Sequence, residues 1–588
     1  MQSPSPLDLD LKDLLRLYCD GEHERLSQEF LRVLDYFART VVMNDATIRG
    51  SVAPFLKVFF ALFTQPDYLV PARHVVSFVA HNPLLANLAA MSPLRNTDAF
   101  LEMLYDQPSN LVKILTLYSA RNTVRIDRRR LFDADPQTAS LWYNQFCEIY
   151  KVGLVNEDVV RHLTEHLSYQ DDRMTLGPDL AIPYFSSSYV GGGADRKVKP
   201  FLNHVVRRAG RLPWDNRPDP RKIAVISDYW YPEHSVYRIL AAFVKELRGA
   251  YHLTLVHILT PREKLDVSMF DDVRRLELRD GSLLADSLLS NDFQLVYFPD
   301  VGMTQPSILL ANCRMAPIQI CSPGHSVSTW GAEIDYFISG ADVEIKTSPE
   351  QNYSERLVLL PGMGAIHNRP QYALTGAKKD VAEIVVNCPW SGHKISAPFL
   401  RTLRRLLDQA ARPVRLRIFA GGGISQNNGH LPFLAGLRSA LGEKVPVDVW
   451  PQLPYAQYMQ YMEQADLTLD SFHFAGCNTV ADSLYVRKPT VVWEGDMWYN
   501  RIGPAMLRLV GLDELVCTTE DEYLEKALLL IHDDNRRNEL TAKLQAADLD
   551  ATVFSTQHAP ALRRAVEYLV ANHEELKKQG SKQPIVIS

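Results

Sequence analysis

Lys222-Ile-Ala-Val-Ile-Ser227 and His252-Leu-Thr-Leu-Val-His-Ile-Leu259 are two short apolar runs, the first preceded by Pro218 and Pro220. Between them Glu233 to Ala250 carries its apolar residues on one helical face, which predicts an amphipathic helix. Strand, helix and strand in succession predict parallel strands joined by right-handed crossovers. The pattern recurs at Phe293-Gln-Leu-Val-Tyr-Phe298 and Ala316-Pro-Ile-Gln-Ile-Cys321. A second set begins at Glu383-Ile-Val-Val-Asn387. It runs through a helix around Phe399 to Ala410, then Val414-Arg-Leu-Arg-Ile-Phe419, Val447-Asp-Val-Trp450, Leu467-Thr-Leu-Asp470 and Thr490-Val-Val-Trp493.

Two α/β halves of Rossmann type, joined near 365–380, account for this order and predict a ligand cleft at the carboxyl ends of two parallel sheets. Upstream the pattern changes. Residues 1–150 hold only Gly21 and Gly50 of the 29 glycines, and strand–helix units need glycine at their tight turns whereas packed helices avoid it. Leu11, Leu14, Leu15, Tyr18 and then Leu26, Phe30, Leu31, Leu34 recur at helical steps. The expected division is an all-α domain over 1–195, a first lobe over 196–370, a second lobe over 371–555, and a C-terminal helix and tail over 556–588. Ser186 to Asp195 reads as a loop at the first boundary, and the last ten residues are expected to fray.

Composition narrows the function. The chain has 588 residues, 46% hydrophobic and 22% charged, ample for large cores and unlike a disordered chain. With 63 basic against 69 acidic residues the net charge of −6 speaks against a nucleic-acid-coating protein. Seven scattered cysteines, none in a C-x-x-C pair, point to a reducing compartment and away from a cysteine zinc site. The N-terminus lacks the pattern of a secretion signal. The run Pro54-Phe-Leu-Lys-Val-Phe-Phe-Ala-Leu-Phe63 is too short to span a bilayer and reads as a buried helix. The expectation is a cytoplasmic chain without a membrane span.

The segment with the most chemistry is Leu469-Asp-Ser-Phe-His-Phe-Ala-Gly-Cys-Asn-Thr-Val-Ala-Asp482, where a strand, a loop of small residues and a helix start follow one another. Such a helix start offers unpaired N–H groups and the positive end of the dipole to a phosphate. Asp482 falls on nearly the same face as Asn478, placed to accept ribose hydroxyls. Asn478 or Thr479 acting as an ordinary helix cap is the alternative.

This segment resembles the phosphate-binding loop of the family 41 glycosyltransferases, which include protein O-GlcNAc transferase and the bacterial cytoplasmic N-glycosyltransferases that modify adhesins (the HMWC-like type). Further blocks agree in order. Lys199-Pro-Phe-Leu-Asn-His-Val-Val-Arg-Arg208 is similar to the linker helix of the bacterial branch, and Glu233-His-Ser-Val-Tyr-Arg238 to its His-Ser-Ile-Tyr-Arg element. Val296-Tyr-Phe-Pro-Asp300, Arg314-Met-Ala-Pro-Ile-Gln319 and Gly324-His325 match blocks that follow. The resemblance covers roughly 196–530 and implies a GT-B fold, two Rossmann-like lobes behind an all-α N-terminal domain.

The same resemblance implies a site. Lys394, in Ser391-Gly-His-Lys-Ile-Ser396, matches a lysine on the nucleotide diphosphate; a solvated surface lysine is the alternative. Asn478 and Asp482 match the asparagine and the ribose-holding aspartate of the donor helix, and Thr479 stands where the bacterial branch has glycine and the O-GlcNAc branch threonine. Gln426, in Gln426-Asn-Asn-Gly429, resembles a glutamine near the donor sugar, and His234 a histidine near the reaction centre. His325 is the other catalytic candidate, and either histidine also suits a buried carbonyl partner. Arg501, in Trp498-Tyr-Asn-Arg-Ile-Gly-Pro504, is expected near the diphosphate or as a surface arginine. Trp330 and Trp390 suit stacking on uracil or simple core packing.

No metal or other cofactor is implied, because the D-x-D pairs Asp8/Asp10, Asp133/Asp135 and Asp548/Asp550 fall outside the expected cleft. The expected activity is inverting, metal-independent transfer of a hexose, glucose first, from UDP to asparagine in Asn-x-Ser/Thr segments of a polypeptide such as an adhesin before export. An O-linked Ser/Thr transferase using UDP-GlcNAc or UDP-glucose, and a non-catalytic nucleotide-sugar-binding scaffold, are the alternatives. The chain's own sequon, Asn352-Tyr-Ser354, is a candidate for self-modification.

Overall fold

The structure, a computed structural model, describes residues 11–105, 107–210, 217–279, 282–285, 288 and 291–588. They fold as two compact units, one of 11–194, 390–407 and 418–453, the other of 195–389, 408–417 and 454–588. The units therefore do not follow a serial division of the chain at 195, 370 and 555.

In the first unit residues 11–194 are helical, as the scarcity of glycine predicts. Phe55, Phe59 and Phe63 lie one turn apart on Ala53–Phe63, where Phe59 packs against Phe30 and Phe55 against Phe37 of His23–Arg39. Asp135 and Asn156 begin helices Pro136–Phe146 and Glu157–Leu167 by accepting first-turn N–H groups. Two readings change here. The helical run that includes Pro54 to Phe63 spans Asp45–Phe63, 19 residues, long and apolar enough to cross a membrane and 44% buried over its apolar window. Ser186 to Val190 are helical too: Ala181–Val190 buries Ser186, Ser187 and Ser188 and stops only at Gly191, whose φ is 90°.

The second unit is built on parallel sheet. Eight strands lie in the order Ile585–Val586, Arg356–Leu360, Tyr336–Gly340, Ile318–Cys321, Phe293–Phe298, Asp219–Ile226, His252–His257 and Asp272–Arg275, with every adjacent pair parallel. The inner strands are apolar where both faces are covered, with Ala224, Ile226, Val256, Val296, Phe298 and Phe337 in one core. Strand order reverses between Asp219–Ile226 and Phe293–Phe298, which opens a crevice at their carboxyl ends. In the second sheet Val414–Phe419, Ile384–Cys388, Leu467–Leu469, Thr490–Trp493 and Val516–Cys517 are neighbours in that order. Its reversal lies between Ile384–Cys388 and Leu467–Leu469, next to the loop that leads to Asn478.

Side-chain caps set the local boundaries. The helix expected from Glu233 to Ala250 is Ser235–Lys245, because His234 Nδ1 accepts the Val236 N–H at 3.2 Å and fixes the start. The strand expected to reach Leu259 ends at His257, because Asp228 Oδ1 takes the N–H groups of Ile258, Leu259 and Thr260 at 2.8, 2.7 and 3.1 Å. The chain end is ordered rather than frayed. Helix Pro560–Gln579 closes at left-handed Gly580, and Ile585–Val586 then pairs with Val358 and Leu359. Ile585 and Ile587 are buried there.

Candidate functional site

Within the second unit, His234 stands at the carboxyl side of Asp219–Ile226 and caps Ser235–Lys245. Its ring stacks on Tyr229 with centroids 4.2 Å apart and planes 9° apart. Burial pulls its pKa down to about 4, so the ring is neutral near pH 7. Gly324 brings the His325 loop against this corner: a Cβ there would come 2.2 Å from Pro299 O and 3.2 Å from Val236 Cγ1. His325 itself is buried. Between the two strand ends sits Asp300, buried, accepting from Ser227 Oγ at 2.5 Å. Burial, reinforced by Asp228, pushes its carboxyl up to about 7 against the pull of the Ser227 hydrogen bond.

Helix Asn478–Tyr485 is docked on the same corner. Asn478 Nδ2 donates to Ser235 O at 3.1 Å, and its Oδ1 faces His367 Nδ1 at 3.2 Å. His367 is buried and its pKa is pulled down to about 4 by that burial, so Nδ1 carries the proton it gives to Asn478. Neither Asn478 nor Thr479 caps the helix: the N-cap position is Cys477, whose side chain makes no capping hydrogen bond. The first-turn N–H groups thus have no side-chain acceptor at the cap, and Thr479 Oγ1 is a buried hydroxyl without a hydrogen-bond partner among the described residues. Thr479 Oγ1 lies under Gly476, where a Cβ would meet it at 2.2 Å. Such a start can accept an anion.

Asp482 is 1% exposed and already engaged. Arg238 Nη2 donates to its Oδ1 at 2.6 Å, Arg238 Nη1 to Oδ2 at 3.3 Å and the Tyr455 hydroxyl to Oδ1 at 2.7 Å. Burial works against the Arg238 charge, but Asp482 outweighs it and holds the guanidinium above its usual range. Burial and Asp482 together push the Tyr455 hydroxyl up. A ribose on Asp482 would therefore share a carboxylate with these two side chains.

Arg501 lies in the same unit but on a different partner. It pairs with Glu494 at 3.2 Å and donates to Gly495 O at 3.1 Å, while Arg508 grips Glu494 from the other side. Trp330, at φ 49°, is tied by Nε1 to Asp195 and covered by Arg196.

Lys394 and Gln426 belong to the first unit. Lys394 ends a short turn, Gly392–Lys394, and is half-buried. The ring of His393 beside it packs against Tyr150 and Tyr189 with centroids 4.4 and 4.5 Å away. Gln426 is exposed at the tip of Gly423–Asn428. Trp390 is a fully buried core residue edge-on to Phe399.

The described D-x-D pairs are structural. Asp133 binds Arg173, Asp135 caps its helix, Asp550 binds Arg369 and Asp548 caps a turn at Asp550 and Ala551; Asp8 and Asp10 lie outside the described residues. No cluster of three His, Cys, Asp or Glu suited to a metal occurs among the described residues. Asn352 of the sequon is buried, with Nδ2 donating to Asp496 O at 2.9 Å and Oδ1 accepting from Arg196 at 3.1 Å, which corrects the expectation of self-modification.

Sequence reading missed three residues at this corner. Arg238 was legible as one helical turn beyond His234, whereas Tyr455 and His367 come from distant segments that no local signal connects to Asp482 or Asn478.

No protein-family model matches the chain. It is 25% identical over 529 residues, 82% of each chain, to the UDP-glucose:protein N-beta-glucosyltransferase of Actinobacillus pleuropneumoniae serotype 5b (strain L20). It is 26% identical over 394 residues to the "Probable UDP-N-acetylglucosamine--peptide N-acetylglucosaminyltransferase SPINDLY" of Petunia hybrida, which spans 61% of this chain and 40% of that one. Among solved structures it matches the Thermobaculum terrenum O-GlcNAc transferase at a TM-score of 0.56 and 19% identity, covering 86% of this chain and 97% of that one. The resemblance to family 41 is borne out by these relatives, and the GT-B fold by the last.

Proposed function

We infer that this chain, a glycosyltransferase related to the family 41 enzymes, transfers a hexose, glucose first, from a UDP-sugar to asparagine side chains in Asn-x-Ser/Thr segments of a protein acceptor. The observation that carries the reading is the likeness, over 82% of both chains, to a relative named for N-linked glucosyl transfer from UDP-glucose to protein. An adhesin met in the cytoplasm before export is the proposed acceptor. All seven cysteines are free, which supports a reducing compartment.

The chemistry asked of the residues is modest in kind. Negative charge develops on the departing diphosphate, and it must meet preorganised positive potential. Lys394 and the uncapped start of Asn478–Tyr485, with the Thr479 hydroxyl, are the groups proposed for this task in place of a metal. A single displacement from UDP-α-glucose gives the β-linked, inverted product. His234, neutral at pH 7, is proposed to orient the acceptor rather than to deprotonate an amide, whose nitrogen is far too weak an acid for imidazole.

The test is incubation with a panel of UDP-hexoses and acceptor peptides, with modified sites mapped by mass spectrometry. Hexose on asparagine supports the reading; no hexose on any residue with any donor, alongside intact UDP binding, would leave only the scaffold. A second reading, transfer to Ser or Thr, is favoured by Thr479, which stands where the O-GlcNAc branch has threonine, and the same mapping separates the two.

A further inference from the structure

The loop after Val414–Phe419 runs Ala420-Gly-Gly-Gly-Ile-Ser-Gln-Asn-Asn-Gly429. Three consecutive glycines give such a stretch many conformations, yet here side-chain hydrogen bonds hold its far end at Asn427 and Asn428, and a backbone hydrogen bond from Gly392 holds its start at Ala420. Asn427 and Asn428 both take left-handed φ angles, 48° and 58°, which asparagine tolerates better than most residues. The Asn428 side chain is 1% exposed and makes a reciprocal pair. Its Oδ1 accepts the Val42 N–H at 2.6 Å, and its Nδ2 donates to Phe37 O at 2.6 Å. Phe37 lies in the last turn of His23–Arg39, so Asn428 satisfies a carbonyl that the helix end leaves open.

Asn87 makes the second attachment. It sits inside helix Asn82–Met91, fully buried, a position where asparagine is a poor helix former. Its Nδ2 donates to Asn427 O at 3.0 Å and to Lys151 O at 2.9 Å. Its Oδ1 accepts from Arg121 Nε at 2.8 Å, and Arg121 Nη2 reaches on to Val152 O at 2.9 Å. The segment thus held is itself a seat for the loop. A Cβ on Gly429 would come 2.5 Å from Lys151 O, and one on Gly423 2.7 Å from the Tyr150 ring. Tyr150 also touches His393, and Gly392 N–H donates to Ala420 O at 2.9 Å, so the Lys394 turn rests on the same support.

We propose that Asn87 and Asn428 are positioning residues, through which the N-terminal helices hold the loop 420–429 in the one conformation that presents Gln426 to the donor sugar. The inference rests on the proposed function and on the family resemblance by which Gln426 is expected near the donor sugar. It assigns the helical segment a part in donor-sugar handling. Neither asparagine touches substrate; both act through the backbone of the loop.

The experiment uses the full chain with Asn87→Asp, which keeps the acceptor for Arg121 but loses both donated bonds, and with Asn428→Ala. Arg121→Lys serves as a milder third variant if either fails to fold. Amide exchange of peptides covering 420–429 is expected to quicken in each variant while the parallel-sheet peptides stay protected. With UDP-glucose, kcat is expected to fall by between about 10- and 100-fold, the cost of a displaced positioning group, with the affinity for UDP alone held within about threefold. Combined with Gln426→Ala, the losses should not multiply, as expected when residues act through one another. Unchanged exchange in the loop overturns the proposal, as do an unchanged kcat or losses that multiply. A wild-type chain that transfers no sugar overturns the proposed function instead, and the exchange measurement still decides whether these asparagines hold the loop.

Discussion

Arg238 Nη2 and Asp482 Oδ1 are 2.6 Å apart in a pair whose side chains are 13% and 2% exposed. A carboxylate that buried tolerates no loss of its partner. Arg238→Ala is expected to cost about 3–5 kcal/mol in chemical unfolding, and adding Asp482→Asn should recover more than half of it. Asp482→Asn alone should raise KM for the UDP-sugar by about 10-fold or more, the worth of a hydrogen bond to a charged acceptor. An unchanged KM would free Asp482 from any part in ribose binding.

Lys394→Ala tests the proposed metal-free stabilisation of the leaving group. kcat/KM for the UDP-sugar is expected to fall about 100-fold or more, in line with removal of a single oxyanion-type donor. Because Lys394 is half-buried at the end of a short turn, the unfolding midpoint should move little. Unaltered kinetics would take Lys394 out of the mechanism.

Asp300 gives a pH signature. Its folded pKa, raised to about 7, lies above the unfolded value near 4. The native state therefore binds the extra proton between those values, and stability is fully present below about 4 and lost as pH rises through 7. Asp300→Asn cannot ionise, so it should be more stable than wild type at pH 8, with the gap closing toward pH 4. Urea unfolding at pH 5 and pH 8 decides it, and a gap independent of pH would mean that Asp300 is not held protonated.

Asn352 should remain unmodified. Its amide nitrogen already donates to Asp496 O, and the side chain is buried. Intact-mass and peptide mapping after incubation with UDP-glucose should find no hexose at Asn352 in the folded chain.

Chelation should leave transfer within about twofold of the untreated rate if Lys394 and the helix start replace a divalent ion. Recovery of a lost rate by added magnesium or manganese would contradict the proposed chemistry.

The alternating fold was legible because fully buried parallel strands write themselves as apolar runs, as in Ile223 to Ile226 and Phe293 to Phe298. The helical start was legible from missing glycines. Boundaries were not, because they depend on side chains that cap from elsewhere: Asp228 ends a strand thirty residues away by binding Ile258 N–H. Within the site, Asn478 and Asp482 could be read from helical spacing, whereas the partners that occupy them could not. Tyr455, His367 and Asn87 each reach their targets across long sequence separations, and nothing near them in the chain announces it.

Arg356–Leu360 also has a history during synthesis. Its outer neighbour is Ile585–Val586, and Arg356 Nε bonds Gln583 O across a separation of 227 residues. While that stretch is still being made, the strand Arg-Leu-Val-Leu-Leu is an open edge with unpaired backbone groups, a template for any other extended chain. The C-terminal residues act as a built-in cover for it. Deleting them should therefore show itself in yield and solubility on expression before it shows in catalysis.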